Sequence, residues 1–254
     1  MLFQIEGTEV YFVASIHFGK QSFYPFSTLA DKACDAAKTV YFESRPTDIS
    51  HLMHCPPGRT LSDCVSPAII EKLRTVAPKA GMDFKKLLTL KPWAVALSFF
   101  PALCAREGCA ETFSVERYFT KRAQIAGAQI EFLETPEEAL AVFDAAPKAE
   151  MENFLARGLF HPEKVQSEVK QMMIAWQNSD IPACDRIIET HIKRFPFFEE
   201  LVYGRNRKWL PKLHELTSLN TPAFVCVGIL HFAGEHSLQY LLNKDHGHNV
   251  RRLE

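Results

Sequence analysis

Apolar residues along the chain fall into two kinds of run. Short unbroken runs rich in branched and aromatic side chains occupy residues 10–13, 39–42, 129–133 and 223–227, with a last one near 249–251. That pattern predicts β-strands. Longer stretches have helical spacing. Residues 26–38 predict a helix with Ser27 or Thr28 as N-cap, and 115–125 another with Ser114 as N-cap. Residues 67–106 predict helices broken at Gly81, with a new one beginning after Lys91 and Pro92 in its first turn. Residues 137–200 are almost continuously helical, interrupted near 158–162, 178–182 and 195–196, and predict a helical cap. Residues 203–209 are polar and basic and lead into an amphipathic helix, and the last helix carries Leu238, Leu241 and Leu242. Strand, helix and strand over 10–42 predict a βαβ crossover. With no low-complexity tract or linker, the chain predicts one α/β domain over residues 1–254. Its architecture is a central mixed β-sheet flanked by helices, with the cap at 137–200.

Two of the strands end alike. Ala14-Ser15-Ile16-His17 follows one, and Gly228-Ile229-Leu230-His231 follows another. In each case a glycine and a helix come next, so the chain reads as two diverged strand–x-x-His–helix halves. The other two strands end at Glu43 and Glu134. Open α/β sheets place chemistry at the carboxyl edge of their strands, so these four residues predict a shared site. Two imidazoles with carboxylates suit Mn, Co or Zn. Such an ion acidifies a bound water and polarises a carbonyl. His17 and His231 are the expected ligands, Glu43 a ligand or general base, and Glu134 a further ligand or a neighbour that orients one. Arg205 and Asn206 are donors suited to an oxyanion or a substrate carboxylate. Structural alternatives stand beside each role. A strand-end histidine often caps or bonds within the core. Glu43 has Arg45 close by, Glu134 precedes a helix N-terminus, and Arg205-Asn206 suits a polar helix start. His51, His54 and Cys55 form an HxxHC cluster in the irregular stretch 46–66. It reads as a zinc site or as a polar loop.

Composition narrows the picture. At 254 residues and 47% hydrophobic, the chain buries a sizeable core. A net charge of −1 gives no attraction to nucleic acid or an anionic membrane. No apolar run reaches the roughly 18 residues of a membrane span. The first residues lack a basic segment and a cleavage site, so a cytoplasmic location is expected. The seven cysteines are odd in number and scattered, with no CxxC, which argues against a disulfide framework and for a reducing compartment.

The order of these features resembles the TraB/PrgY/GumN family, which includes the TIKI metalloproteases. Ala14-Ser15-Ile16-His17 stands where the family has Gly-Thr-x-His, and Glu43 closes the next strand. Lys91-Pro92-Trp93 and Leu133-Glu134-Thr135 follow, then Arg205-Asn206 with Trp209, then Gly228 to Gly234. Ser114-Val115-Glu116 matches a Gly-hydrophobic-Asp helix start loosely, and Ala14 replaces a glycine. The resemblance implies an α/β fold like that of erythromycin esterases and haem-uptake ChaN proteins. It also implies a divalent-metal-dependent peptidase acting on a peptide or small-molecule substrate. Its site would comprise His17, Glu43, Glu134, Arg205, Asn206 and His231. Two alternatives are a haem, peptide or small-ligand binding protein and a metal-free esterase-like hydrolase.

Overall fold

The computed structural model describes residues 1–219 and 221–254. Six strands form a mixed sheet: β1 (Leu2–Ile5), β2 (Val10–Ser15), β3 (Thr39–Ser44), β4 (Gln129–Glu134), β5 (Ala223–Gly228) and β6 (Val250–Arg252). Their spatial order is β4-β3-β5-β2-β1-β6. Strands β4, β3, β5 and β2 run parallel, while β1 is antiparallel to both β2 and β6. The α/β class and the mixed sheet agree with the expectation from the apolar runs.

Strand β1 was not expected. It is four residues long and contains Gln4, so it gives little periodic signal on its own. Its pairing with β2 on one side and β6 on the other makes it a strand. The crossover over 10–42 also differs in detail. Helix Thr28–Ala36 connects β2 to β3, with the Ser27 side chain accepting from the Leu29 and Ala30 N–H groups. The two strands are not neighbours, because β5 lies between them. This explains the unbroken apolar run of β5. A central parallel strand has both faces covered, so it cannot alternate with polar residues. Phe224, Val225, Cys226 and Val227 are accordingly fully buried.

The chain gathers into two compact units. The first comprises residues 1–45, 109–135 and 172–254 and contains the whole sheet. Its core includes Phe12, Phe119, Phe224, Phe232 and Trp209. Phe232 stacks on Phe3 at 4.7 Å and meets Phe12 edge-on at 6.2 Å. Burying each such ring contributes roughly 2 kcal/mol. The second unit comprises residues 46–108 and 136–171 and is helical. Leu61, Ile69, Leu73, Leu155 and Leu159 form its core. The helices of 137–200 are therefore divided between the units at residues 171 and 172. Lys91-Pro92-Trp93 has a structural role within the second unit. Pro92 opens helix Pro92–Arg106, and Lys91 Nζ and Trp93 Nε1 both donate to Asp144, at 2.6 and 2.9 Å. Among the described residues, no helix is long and apolar enough to cross a membrane.

Candidate functional site

Strand register assembles the site. Ser15 lies beside Gly228, Phe42 beside Cys226, and Ser44 beside Glu134. The turns after β2 and β5 and the last residues of β3 and β4 thus share the carboxyl edge of the first unit's sheet. The two His-ending tetrapeptides are offset by one residue, because Gly228 aligns with Ser15 and not with Ala14.

His231 lies on the short turn Ile229–Phe232 and is 4% exposed. Its Nδ1 meets Asn206 Oδ1 at 2.6 Å. The Asn206 amide nitrogen donates to the backbone carbonyls of His231 and His236, so its oxygen is the acceptor. His231 therefore carries its proton on Nδ1 and leaves an unshared pair on Nε2. Burial is the main force on its pKa and lowers it to about 3, so the ring is neutral near pH 7.

Glu43 lies beside His231 Nε2. Its Oε1 lies 3.6 Å from His231 Nε2 and accepts the Gly228 N–H at 2.7 Å. A Cβ at residue 228 would stand 3.2 Å from that oxygen, so glycine allows the close approach. Burial alone would raise the pKa of Glu43. Arg205, followed by the two histidines and the Gly228 N–H, outweighs burial and holds the carboxyl well below its ordinary range.

Arg205 is the hub of the buried charges. It opens helix Arg205–Ser218 directly after a π turn over Glu200–Gly204, an arrangement that often marks functional positions. Its Nη2 bonds Glu43 Oε2 and Glu134 Oε1, and its Nε donates to Glu134 Oε1 at 2.8 Å. The guanidinium lies 4.7 Å over the Trp209 ring, and Trp209 Nε1 donates to Glu134 Oε2. Both oxygens of Glu134 are thereby engaged. Burial, opposed by Arg205, raises the pKa of Glu134. Arg205 and Asn206, expected to face substrate, direct these bonds inward to the two carboxylates and His231. Glu43 pairs with Arg205 and not with Arg45, whose guanidinium lies over the Phe132 ring.

His17 belongs to the same edge in a different state. Its side chain is 66% exposed, and its Nδ1 lies 2.9 Å from Glu116 Oε1. Glu116 sits in the first turn of helix Val115–Ala126, whose N-cap Ser114 accepts the Arg117 N–H. The Val115 N–H donates to the Ile16 carbonyl, which docks the helix start onto the end of β2. Ser15 Oγ also donates to Glu116 Oε1. The Glu116 carboxylate beside it raises the pKa of His17 to about 9. Burial alone would raise the pKa of Glu116, but His17 outweighs it and the carboxyl stays below its usual range. Glu116 Oε2 is buried with no hydrogen-bond partner. In the sequence Glu116 belongs to the Ser114-Val115-Glu116 motif, which by itself assigns it no function. An acid in the first turn of a capped helix was the available signal.

The donors fit a metal in part. His231 Nε2 and Glu43 Oε1 are 3.6 Å apart, near the roughly 3.4 Å separating two ligands of a tetrahedral ion with bonds of about 2.1 Å. Glu134 is committed to Arg205 and Trp209. Among the described residues, no group of three His, Cys, Asp or Glu side chains is placed to hold a metal ion. The HxxHC cluster in the second unit forms no such group either. There His51 lies 4.0 Å from Glu137, and His54 Nδ1 bonds Thr89 Oγ1.

No curated protein and no solved structure matches the chain. One family model matches residues 2–252, nearly the whole length, and the chain therefore belongs to the TraB/PrgY/gumN family.

Proposed function

We propose that the carboxyl edge of this sheet is the active site of a hydrolase acting on an acyl bond, most simply a peptide bond. The observation behind this reading is the pairing of His231 Nε2 with Glu43 Oε1. The two atoms lie 3.6 Å apart, and in this reading both offer unshared electron pairs to one water. Their protonation states are fixed by other side chains. Asn206 sets the tautomer of His231, and Arg205 keeps Glu43 ionised. Two acceptors of this kind orient a water and draw its hydrogens, leaving its lone pair directed at a carbonyl. His17 supplies the complementary function. Held protonated by Glu116 and exposed to solvent, it donates to a leaving group or a developing oxyanion. Arg205 and Asn206 are positioning residues that touch the reacting side chains and not the substrate.

Family resemblance adds a divalent ion, Mn, Co or Zn. Of the four expected ligands, His231 Nε2 and Glu43 Oε1 are the two best disposed to hold it, because Glu116 keeps His17 protonated and Arg205 and Trp209 engage both oxygens of Glu134. Bound there, the ion would acidify a water and polarise the scissile carbonyl. The near-tetrahedral spacing of those two atoms favours this finer reading, and the lack of a third converging ligand among the described residues weighs against it.

The test is hydrolysis of peptide and ester libraries by protein purified without chelator, with metal content measured on the same samples. His231→Ala and Glu43→Gln should each reduce turnover by about 100-fold or more. Loss on chelation, restored by one of the three ions, would support the metal. Full activity in chelator would leave the hydrolase without it. Peptides that bind with no cleavage under any condition would overturn the hydrolase in favour of a ligand-binding protein.

A further inference from the structure

Three histidines of the first unit cluster outside the candidate site. His214 is on helix Arg205–Ser218, His246 ends helix Leu238–His246, and His248 follows after Gly247. All three are partly exposed. Val250, two residues on, pairs with Ile5 beside the start of β2, so the cluster sits at the amino end of the parallel strands, opposite the candidate site. The backbone holds His248 in place. Gly247 takes φ +69, the His248 N–H donates to the Leu242 carbonyl at 3.1 Å, and the Asn249 carbonyl accepts the Glu6 N–H at 2.9 Å. Hydrogen bonds also fix the tautomers. The Thr217 hydroxyl donates to the His214 carbonyl at 2.7 Å, so its oxygen can only accept. His248 Nε2 lies 3.3 Å from that oxygen and 2.8 Å from His214 Nδ1, and is therefore the donor to both. His214 Nδ1 thus carries an unshared pair. Burial, and after it the other two rings, lowers the pKa of His248, which keeps the ring neutral near pH 7. His246 stacks on His214 at 4.0 Å and 12°. Its lone pairs lie in a plane parallel to the His214 ring and do not converge with His214 Nδ1 on one point.

We propose that His214 Nδ1 and His248 Nε2 bind a divalent transition-metal ion of right-angled geometry, nickel or copper, with water completing its shell. The ion takes the place of the shared hydrogen. His248 moves its proton from Nε2 to Nδ1 through solvent, so no net proton is released and both facing nitrogens become ligands. Ligands at right angles with bonds of about 2.1 Å stand roughly 3.0 Å apart, against roughly 3.4 Å around a tetrahedral ion. The 2.8 Å between the two nitrogens is nearer the first, which favours nickel or copper over zinc. Two protein ligands, with His246 outside the set, agree with the lack of a three-residue group among the described residues. The ion ties helix Arg205–Ser218 to the segment that enters β6. It stabilises the first unit without touching the reacting groups at the carboxyl edge.

The experiment titrates the full chain with nickel chloride and follows binding by calorimetry and thermal unfolding. His214→Ala and His248→Ala should each weaken nickel binding by about tenfold or more, while His246→Ala and His231→Ala keep it. Nickel in large excess should raise the wild-type melting temperature by about 5 °C, and the shift should vanish in either ligand variant. Proton NMR of the wild type gives the same answer without substitution, because paramagnetic nickel should broaden the ring signals of His214 and His248. No nickel binding, or binding equal in the wild type and both ligand variants, would overturn the site. So would an ion lost in His231→Ala, a loss in His246→Ala as deep as in the ligand variants, or His214 and His248 signals that nickel leaves sharp.

Discussion

The turns after β2 and β5 look alike in sequence and differ in physical state. His17 is 66% exposed beside a carboxylate, and its pKa is raised to about 9. His231 is 4% exposed beside an amide, and its pKa is lowered to about 3. One imidazole is therefore a cation and the other a neutral donor of an electron pair, on the turns that follow neighbouring parallel strands. Two variables account for the difference. The partner decides whether a proton on the ring is rewarded, and burial decides how much an unrewarded charge costs. A site that needs both an acid and an electron-pair donor obtains them from one residue type in two settings.

The largest expected effect comes from removing the charge that sets the buried side of this contrast. Arg205→Met leaves Glu43 and Glu134 without their cation, and urea unfolding should show a loss of about 3–5 kcal/mol. Asn206→Ala comes next. It frees the His231 ring and leaves the His231 and His236 carbonyls without a donor, for about 2 kcal/mol. Nitrogen NMR should then show both His231 tautomers where the wild type shows one.

The pH dependence of stability separates the two histidines by sign. Between pH 6.5 and about 3, the unfolded chain takes up a proton that folded His231 refuses, so stability falls as pH falls and is complete above 6.5. His17 acts in the opposite direction. Its contribution is complete below 6.5 and fades as pH rises through about 9, because the folded state keeps a proton that the unfolded chain has released. Calorimetry across pH 3–9 should show both slopes, and His231→Gln should remove the acid one between about pH 6.5 and 4.5, below which Glu43 and Glu116 still add a loss. The smallest effect belongs to Glu116→Gln. It should lower the His17 pKa towards 6.5, while solvent screening keeps the stability change under about 1 kcal/mol.

Much of the fold was legible because burial writes itself into sequence period. The central strand β5 is an unbroken apolar run, and the helix breaks at glycine and proline fall close to where they were expected. Strand β1 was not legible, since four residues that include Gln4 become a strand only through their partners. The site was legible in part. His17, Glu43, Glu134 and His231 stand at strand ends, a position that sequence can mark. The inward-facing bonds of Arg205 and Asn206 could not be read, because a π turn and a partner more than 70 residues away aim the guanidinium. Trp209 stands in the sequence only as the tryptophan that follows Arg205-Asn206, and it is buried. It is also the donor that engages the second oxygen of Glu134.

By itself the sequence determined the class of the fold, the positions of most elements and the set of residues that end at one sheet edge. Those depend on local period, capping and turn chemistry, which a few consecutive residues specify. Only the tertiary structure decided that β5 lies between β2 and β3, that Glu116 holds His17, and that Arg205 joins two carboxylates. It also decided that one histidine is charged and the other neutral. A proton's free energy depends on the solvent and partners around the ring, and those are brought there by residues distant in the chain.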